Sequence, residues 1–218
     1  MKPLYVLYGV VGATVLSLSA FAIFQPIKVL PRMNLAPALT LVDQSGALLT
    51  NEDMRGKIAL YNFTYTRCVS PCPPTTDVMR TLQAQLNQFD SQGYAVRLVT
   101  ISFDERDSTQ DLQRLAQQVN ADTTRWKFAT GEKEKLKYAL GGGFNLYYAA
   151  APDGGITFDP LFVLVDGWGI IRAEYRTASP AIERILRDVQ LVIGEARNSV
   201  GAGRYAYEAA NLFLCYPK

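Results

Sequence analysis

The stretch at residues 57–66, Lys-Ile-Ala-Leu-Tyr-Asn-Phe-Thr-Tyr-Thr, constrains the fold more than any other part of the chain. It is rich in aromatic and β-branched residues, which suit a pleated and enclosed surface, and it predicts a buried central strand. Two cysteines, Cys68 and Cys72, follow at once, with Pro71, Pro73 and Pro74 around them. Beyond them, Val78, Met79, Leu82, Leu86 and Phe89 recur at helical spacing over residues 74–89, and Pro74 suits a first helical turn. A strand therefore hands over to a helix across a short loop that holds two thiols.

The remaining elements are read around that unit. Residues 39–42 and 47–49, separated by Asp43-Gln44-Ser45-Gly46, predict a β-hairpin. Residues 94–103 predict a strand, and Asp107-Ser108-Thr109 opens a helix to about Val119 with Leu112, Leu115, Ala116 and Val119 as its apolar stripe. A shorter helix is expected over 133–140, closed by Gly141-Gly142-Gly143 as a flexible connection, since these glycines lack the strand-before-helix setting of a phosphate loop. Strands at 161–165 and 170–175 flank an Asp166-Gly167 turn, and a helix follows over 180–197. The order of strands and helices is that of an α/β thioredoxin-like fold with an N-terminal hairpin, placed at residues 36–197 with a tail at 198–218.

Residues 3–24 contain no charge, close to the length of about 20 residues that crosses a bilayer. They predict a single transmembrane helix in residues 1–25, with Tyr5, Tyr8 and Phe24 as interfacial aromatics and Pro26 ending it. Ala20-Phe21-Ala22 has the small-x-small form of a cleavable signal, but the apolar run exceeds the 7–15 residues or so of a signal core, which favours a retained anchor. Residues 26–35 read as a tether.

Composition narrows the chemistry. With 218 residues and 49% hydrophobic content, the chain can bury one sizeable core. A formal charge of +2 gives no field to gather nucleic acid. Histidine is absent, which excludes imidazole acid–base catalysis, Ser-His-Asp triads and His-ligated zinc or haem. Three cysteines allow one intramolecular disulfide and a remaining thiol.

Thiols at a strand-to-helix junction are well placed to react, because the helix N-terminus favours the thiolate. The same two sulfurs can close a disulfide or hold a soft ion such as Cu(I). The surrounding prolines argue for a loop and against two cysteines merely buried in a core. An ordinary redox C-x-x-C has two intervening residues; here Val69, Ser70 and Pro71 make three.

Phe63-Thr64-Tyr65-Thr66-Arg67-Cys68, continuing to Cys72-Pro73-Pro74-Thr75, closely resembles the F-T-Y-T-x-C-x-x-x-C-P segment of the Sco/SenC family. The run from Ile101 to Ser108 is similar to that family's I-S-x-D-P-x-R-D-T. Trp126-Lys127-Phe128-Ala129-Thr130-Gly131 is a third match, and the hairpin around Asp166-Gly167 a weaker fourth. The resemblance implies a thioredoxin-like domain on the periplasmic or extracytoplasmic side of a cytoplasmic (inner) membrane. Family members serve cytochrome c oxidase assembly, delivering copper to the binuclear centre of an oxidase subunit or keeping its cysteines reduced. Carried over by position, Cys68 and Cys72 would be Cu(I) ligands, or the catalytic redox thiols if the protein is a reductase. The partner would be an oxidase copper subunit or another membrane electron-transfer complex.

The pattern breaks at the family's third copper ligand, a histidine in a D-H-S/T context shortly before a strand. Here Asp159 precedes Pro160, and the alternative alignment places Phe158 at the position; no imidazole stands at either. Its loss should weaken Cu(II) most, since Cu(I) tolerates two thiolates. Three readings stay open. The chain passes Cu(I) with two sulfurs, aided by Met79 or a partner side chain; or it is a thiol–disulfide reductase, with Pro160 either the cis-proline that thioredoxins keep beside their cysteines or an ordinary strand-entry proline; or it is a non-catalytic structural subunit of a respiratory or photosynthetic electron-transfer complex. Tyr205, Tyr207, Leu212, Phe213 and Leu214 give the tail apolar surface expected to pack on its own domain or on a partner. Cys215 is expected to be inert. Asp104, Glu105, Arg106 and Asp107 read as a solvated turn near the cysteines, or, at Asp104, as an influence on thiol protonation.

Overall fold

The structure, a computed structural model, describes residues 2–24, 27–68, 72–87, 89, 91, 93–151, 155–199, 201 and 203–213. Its elements are α1 (Lys2–Phe24), β1 (Thr40–Asp43), β2 (Leu48–Thr50), α2 (Asn51–Met54), β3 (Ile58–Thr64), α3 (Thr75–Leu86), β4 (Val96–Ser102) and α4 (Thr109–Gln118). They continue with β5 (Trp126–Thr130), α5 (Lys133–Lys137), β6 (Tyr148–Ala150), β7 (Ile156–Phe158), β8 (Phe162–Val165), β9 (Ile171–Tyr175), α6 (Ile182–Asn198) and α7 (Gly203–Phe213). They fall into two compact units, one within residues 32–193 and one drawn from 1–31 and 194–218.

In the larger unit, seven strands form one sheet in the order β2-β1-β5-β4-β3-β8-β9, and β6 pairs with β7 apart from it. The aromatic run becomes β3, and every residue from Ile58 to Thr64 is buried. It lies parallel to β4, with Thr64 opposite Ser102, and antiparallel to β8, with Ala59 opposite Val165. Strand alternation puts Ala59, Tyr61 and Phe63 into one cluster with Val99, Ile101, Ala129, Val163, Leu140 and Phe144. Helix α3 packs on β3 and β4 through buried Val78, Met79, Leu82 and Leu86. Each such side chain contributes about 1.5–3 kcal/mol when fully buried. Helix α4 starts at Ser108 because Ser108 and Asp111 cap each other: Asp111 N donates to Ser108 Oγ at 3.2 Å and Ser108 N to Asp111 Oδ2 at 2.8 Å.

The predicted hairpin, central strand and main helices form as expected. Strand β5 was expected only as a motif; it joins the sheet between β1 and β4, with Trp126 and Phe128 fully buried. The triglycine is not the flexible connection expected of it. Helix α5 ends at Lys137 and widens into a π-helical turn over Tyr138–Gly143. A Cβ on Gly143 would fall 2.3 Å from Pro37 Cβ, so this glycine is required by close packing. Residues 33–36 run along β9: Met33 N donates to Ile171 O at 2.9 Å, Ile171 N to Asn34 O at 2.7 Å and Ala36 N to Gly169 O at 2.8 Å.

In the smaller unit, the run expected to cross a membrane forms α1, with Leu4, Tyr5, Val6, Leu7, Val10, Val11, Val15 and Leu16 exposed. Among the described residues no helix is long and apolar enough to cross a membrane, so the structure gives a helix here without establishing a span. The tail forms α7. Ala210 and Val29 are fully buried together, with Ile27 and Tyr207 against them. Asn211 Nδ2 donates to Glu195 Oε1 at 3.0 Å. Tyr205 stays exposed. Leu214 and Cys215 lie outside the described residues, as do the side chains of Leu212 and Phe213.

Candidate functional site

Strands β3 and β4 end side by side, and the chain leaving β3 passes through Tyr65, Thr66 and Arg67 to Cys68. Cys68 and Cys72 are joined in a disulfide, with S–S 2.08 Å and Cα–Cα 5.7 Å. That Cα separation lies in the ordinary range for a disulfide. Both cysteines are half-buried, and Cys68 rests against the cluster under β3. Beyond Cys72 the backbone turns into α3: Thr75 N donates to Pro73 O at 2.8 Å and Val78 N to Pro74 O at 3.2 Å. The prolines place the second cysteine just ahead of the helix N-terminus, where the peptide dipoles favour negative charge on sulfur.

The charged run after β4 is only half solvated: Glu105 and Arg106 are exposed, whereas Asp104 and Asp107 are buried. The Asp107 side chain is fully enclosed and faces the approach to Cys68. It accepts from Thr66 N at 2.7 Å, Thr66 Oγ1 at 2.7 Å and Ser102 Oγ at 2.6 Å, and pairs with Arg67 Nη2 at 3.1 Å. Asp104, equally buried, accepts from Arg106 N at 3.0 Å and from the Arg106 guanidinium at 2.9 Å, and Arg67 Nη2 reaches it at 3.1 Å. Burial alone would raise the Asp104 carboxyl, but the hydrogen bonds from Arg106 and Arg67 and the Arg67 charge outweigh it and hold the group down at about 2. Glu105 points away and pairs with Lys133 at 2.8 Å.

A set of aromatic rings lies beside the loop. Tyr65 meets Phe103 at 5.6 Å between centroids, Phe103 stacks on Tyr148 at 5.1 Å, and Phe158 meets Phe103 edge-on at 5.0 Å and Tyr65 at 6.2 Å. Ile156 N donates to Tyr65 Oη at 3.2 Å, tying β7 to the strand that leads to Cys68. Phe158, one of the two positions at which the resemblance looks for imidazole, is 6% exposed within this set. Asp159 is exposed and its N–H donates to Tyr147 O at 3.1 Å. Pro160 is half-buried between β7 and β8. Met79, expected as an added sulfur, is fully buried under α3, which removes it as a ligand presented at the loop. Among the described residues no group of three or more Cys, Asp or Glu could hold a metal ion.

The structure thus brings the two sulfurs together and adds partners that the sequence did not single out for the site: Arg67, Thr66, Ser102 and the rings of Phe103 and Tyr148. An open groove of about 660 Å³ lies alongside, lined by Phe103, Asp104, Lys133, Lys137, Tyr148 and Ile156. It depends on the β6–β7 hairpin, whose short Tyr-Ala-Ala and Ile-Thr-Phe strands carry too weak a pattern to be read in advance.

The SCO1/SenC family model matches residues 29–194. A SCO1 protein homolog of Bacillus subtilis is 31% identical over 104 residues, which span 46% of this chain and 52% of that protein. Among solved structures, BsSco, described as a Sco-family cytochrome c oxidase assembly protein with a disulfide switch, matches with TM-score 0.66 and 25% identity, covering 77% of this chain and 98% of its own. Copper-bound ScoI of Arabidopsis thaliana shares the fold with TM-score 0.62 at 19% identity, over 72% of this chain and 98% of that one. A thioredoxin-like sheet that delivers a C-x-x-x-C pair at the end of its central strand, and a family match across most of the chain, lead to one conclusion: the chain belongs to the SCO1/SenC family.

Proposed function

We propose that this protein supports cytochrome oxidase biogenesis through its two thiols, carrying Cu(I) as cargo or exchanging disulfides with a client subunit. The observation that carries this reading is the joined pair Cys68–Cys72 at the mouth of the sheet, in a chain with no histidine to complete a cupric site. Two thiolates bind Cu(I) well, whereas Cu(II) favours nitrogen-containing tetragonal sites.

In both uses the reduced pair is the acting form. As a carrier, Cys68 and Cys72 hold the ion between their sulfurs and yield it to ligands of the client. As a reductant, one thiolate attacks a client disulfide and forms a mixed disulfide. The second cysteine then attacks the protein's own sulfur, releases the client as a dithiol and leaves Cys68–Cys72 oxidised, two electrons having passed to the client.

Anchoring at the outer face of a cytoplasmic membrane is part of the proposal. It is supported by the uncharged run at 3–24 and by the exposed apolar side chains of α1.

Anaerobic titration with Cu(I) tests the proposal. One ion per chain should bind with competition-resistant affinity, and Cys68→Ser or Cys72→Ser should abolish that binding. Phe158→His should raise Cu(II) affinity by about tenfold or more while leaving Cu(I) binding in place. Cu(I) binding that survives loss of either cysteine contradicts the assignment.

A further inference from the structure

We infer that Asp107 is a positioning residue: acting through Thr66 and Arg67, it sets how readily the Cys68–Cys72 disulfide opens. The inference rests on the thiol reading above and deepens it.

Three of the four contacts to the Asp107 carboxylate come from Thr66 and Arg67, the two residues that precede Cys68. The fourth, from Ser102 Oγ, ties the same carboxylate to the end of β4. Both oxygens are engaged, Oδ2 by Thr66 N and Ser102 Oγ, and Oδ1 by Thr66 Oγ1 and Arg67 Nη2. On the far side of the pair, Cys72 is held by the turn of Pro73 and Pro74 into α3. The two sulfurs therefore meet in a short loop fixed at both ends. The stability of a disulfide depends on the effective concentration of one thiol at the other, and that concentration falls when either end of the loop is released.

Asp107→Asn is a sharp probe because every group facing the carboxylate donates. An amide can present only one oxygen, and its NH2 would be set against the Thr66 N–H on one side or the Arg67 guanidinium on the other. The junction ahead of Cys68 would loosen while the disulfide chemistry itself stayed intact. The reaction measured is exchange with dithiothreitol: the protein disulfide accepts two electrons and two protons, and the probe becomes its cyclic disulfide.

The test equilibrates the full chain in detergent with graded ratios of reduced and oxidised dithiothreitol, quenches by alkylation and quantifies the Cys68 and Cys72 peptides by mass spectrometry. Asp107→Asn should shift the equilibrium about tenfold toward the dithiol, about 30 mV for a two-electron couple. Asp188→Asn is the control. Its carboxylate is also buried, accepts from Tyr175 Oη at 2.8 Å and pairs with Arg187, and among the described residues no hydrogen bond or ion pair joins it to the segment around the cysteines. A merely structural role predicts that both variants lower the melting temperature and neither moves the redox equilibrium.

Should Asp107→Asn fail to fold, Thr66→Val removes one of the bonds and should give about a threefold shift in the same direction. Variants that stay within about twofold of the parent, while the parent itself cycles reversibly, overturn this inference and leave the thiol reading standing. A parent whose disulfide does not exchange at all overturns both.

Discussion

Two buried aspartates hold opposite ends of the same sheet, and they differ in where their partners come from. Asp166 closes the β8–β9 turn near the start of β3, accepting from Trp168 N at 2.9 Å and Ile170 N at 3.0 Å and pairing with Arg172 at 3.1 Å. All three partners lie within six residues. Asp107, at the other end, binds Thr66 across 41 residues of sequence. The first aspartate shapes its own hairpin; the second staples the exit of one strand to the exit of the next, beside the two sulfurs. A local carboxylate can change without disturbing the site, whereas a long-range one transmits its loss to the loop it holds.

The comparison is broken most forcefully by Asp166→Asn. Arg172 is 2% exposed, and replacing a carboxylate that pairs with this buried cation should cost about 3 kcal/mol in denaturant unfolding. Redox exchange at Cys68–Cys72 should stay unchanged in the folded fraction. A shift there as large as that expected for Asp107→Asn would erase the distinction between the two ends.

Gly167→Ala probes the same end by shape alone. A Cβ at Gly167 would lie 3.0 Å from Gly56 Cα and 3.1 Å from Gly56 C, where Gly56 N also donates to Gly167 O at 2.9 Å. Backbone cannot move aside as a flexible side chain can, so the substitution should cost about 1–3 kcal/mol. A melting temperature equal to that of the parent would show that the close approach relaxes freely.

The smallest effect is expected with acid. Asp104 is held at about 2, below the ordinary aspartate value of 3.8, so its contribution is fully present above about pH 4 and is lost as pH falls toward 2. Over that window Asp104→Asn should flatten the fall of stability with pH relative to the parent. An unchanged slope would show that the ion pairs from Arg67 and Arg106 to Asp104 add nothing to stability.

The same contrast of range explains what could be read in advance. The β3-loop-α3 unit was legible because its signals are contiguous: enclosed aromatics, prolines around two cysteines, then a helical stripe. The Asp166-Gly167 turn was legible for the same reason. Strand β5 was missed as a strand because Trp126 and Phe128 alternate with half-buried Lys127 over only five residues, and its partners β1 and β4 are distant in the chain. Gly143 was misread because its reason is Pro37, far back in the sequence. The acidic run was seen at the right place, but its burial follows from Thr66 and Arg67 folding over it, which no local pattern reveals. The departure at the expected histidine was plain in the sequence; that Phe158 packs among Tyr65 and Phe103 required the β6–β7 hairpin to be placed.

Thiol counting on the folded protein, before and after mild reduction, tests the core of the account most directly. Alkylation mapped to individual peptides should leave Cys68 and Cys72 unmodified at first, label both after brief reduction without unfolding, and lose the labels again on reoxidation. A folded protein in which the pair is never reduced, or in which the reduced sulfurs stay closed to the reagent, would leave the loop with no chemistry to perform and the assignment without its basis.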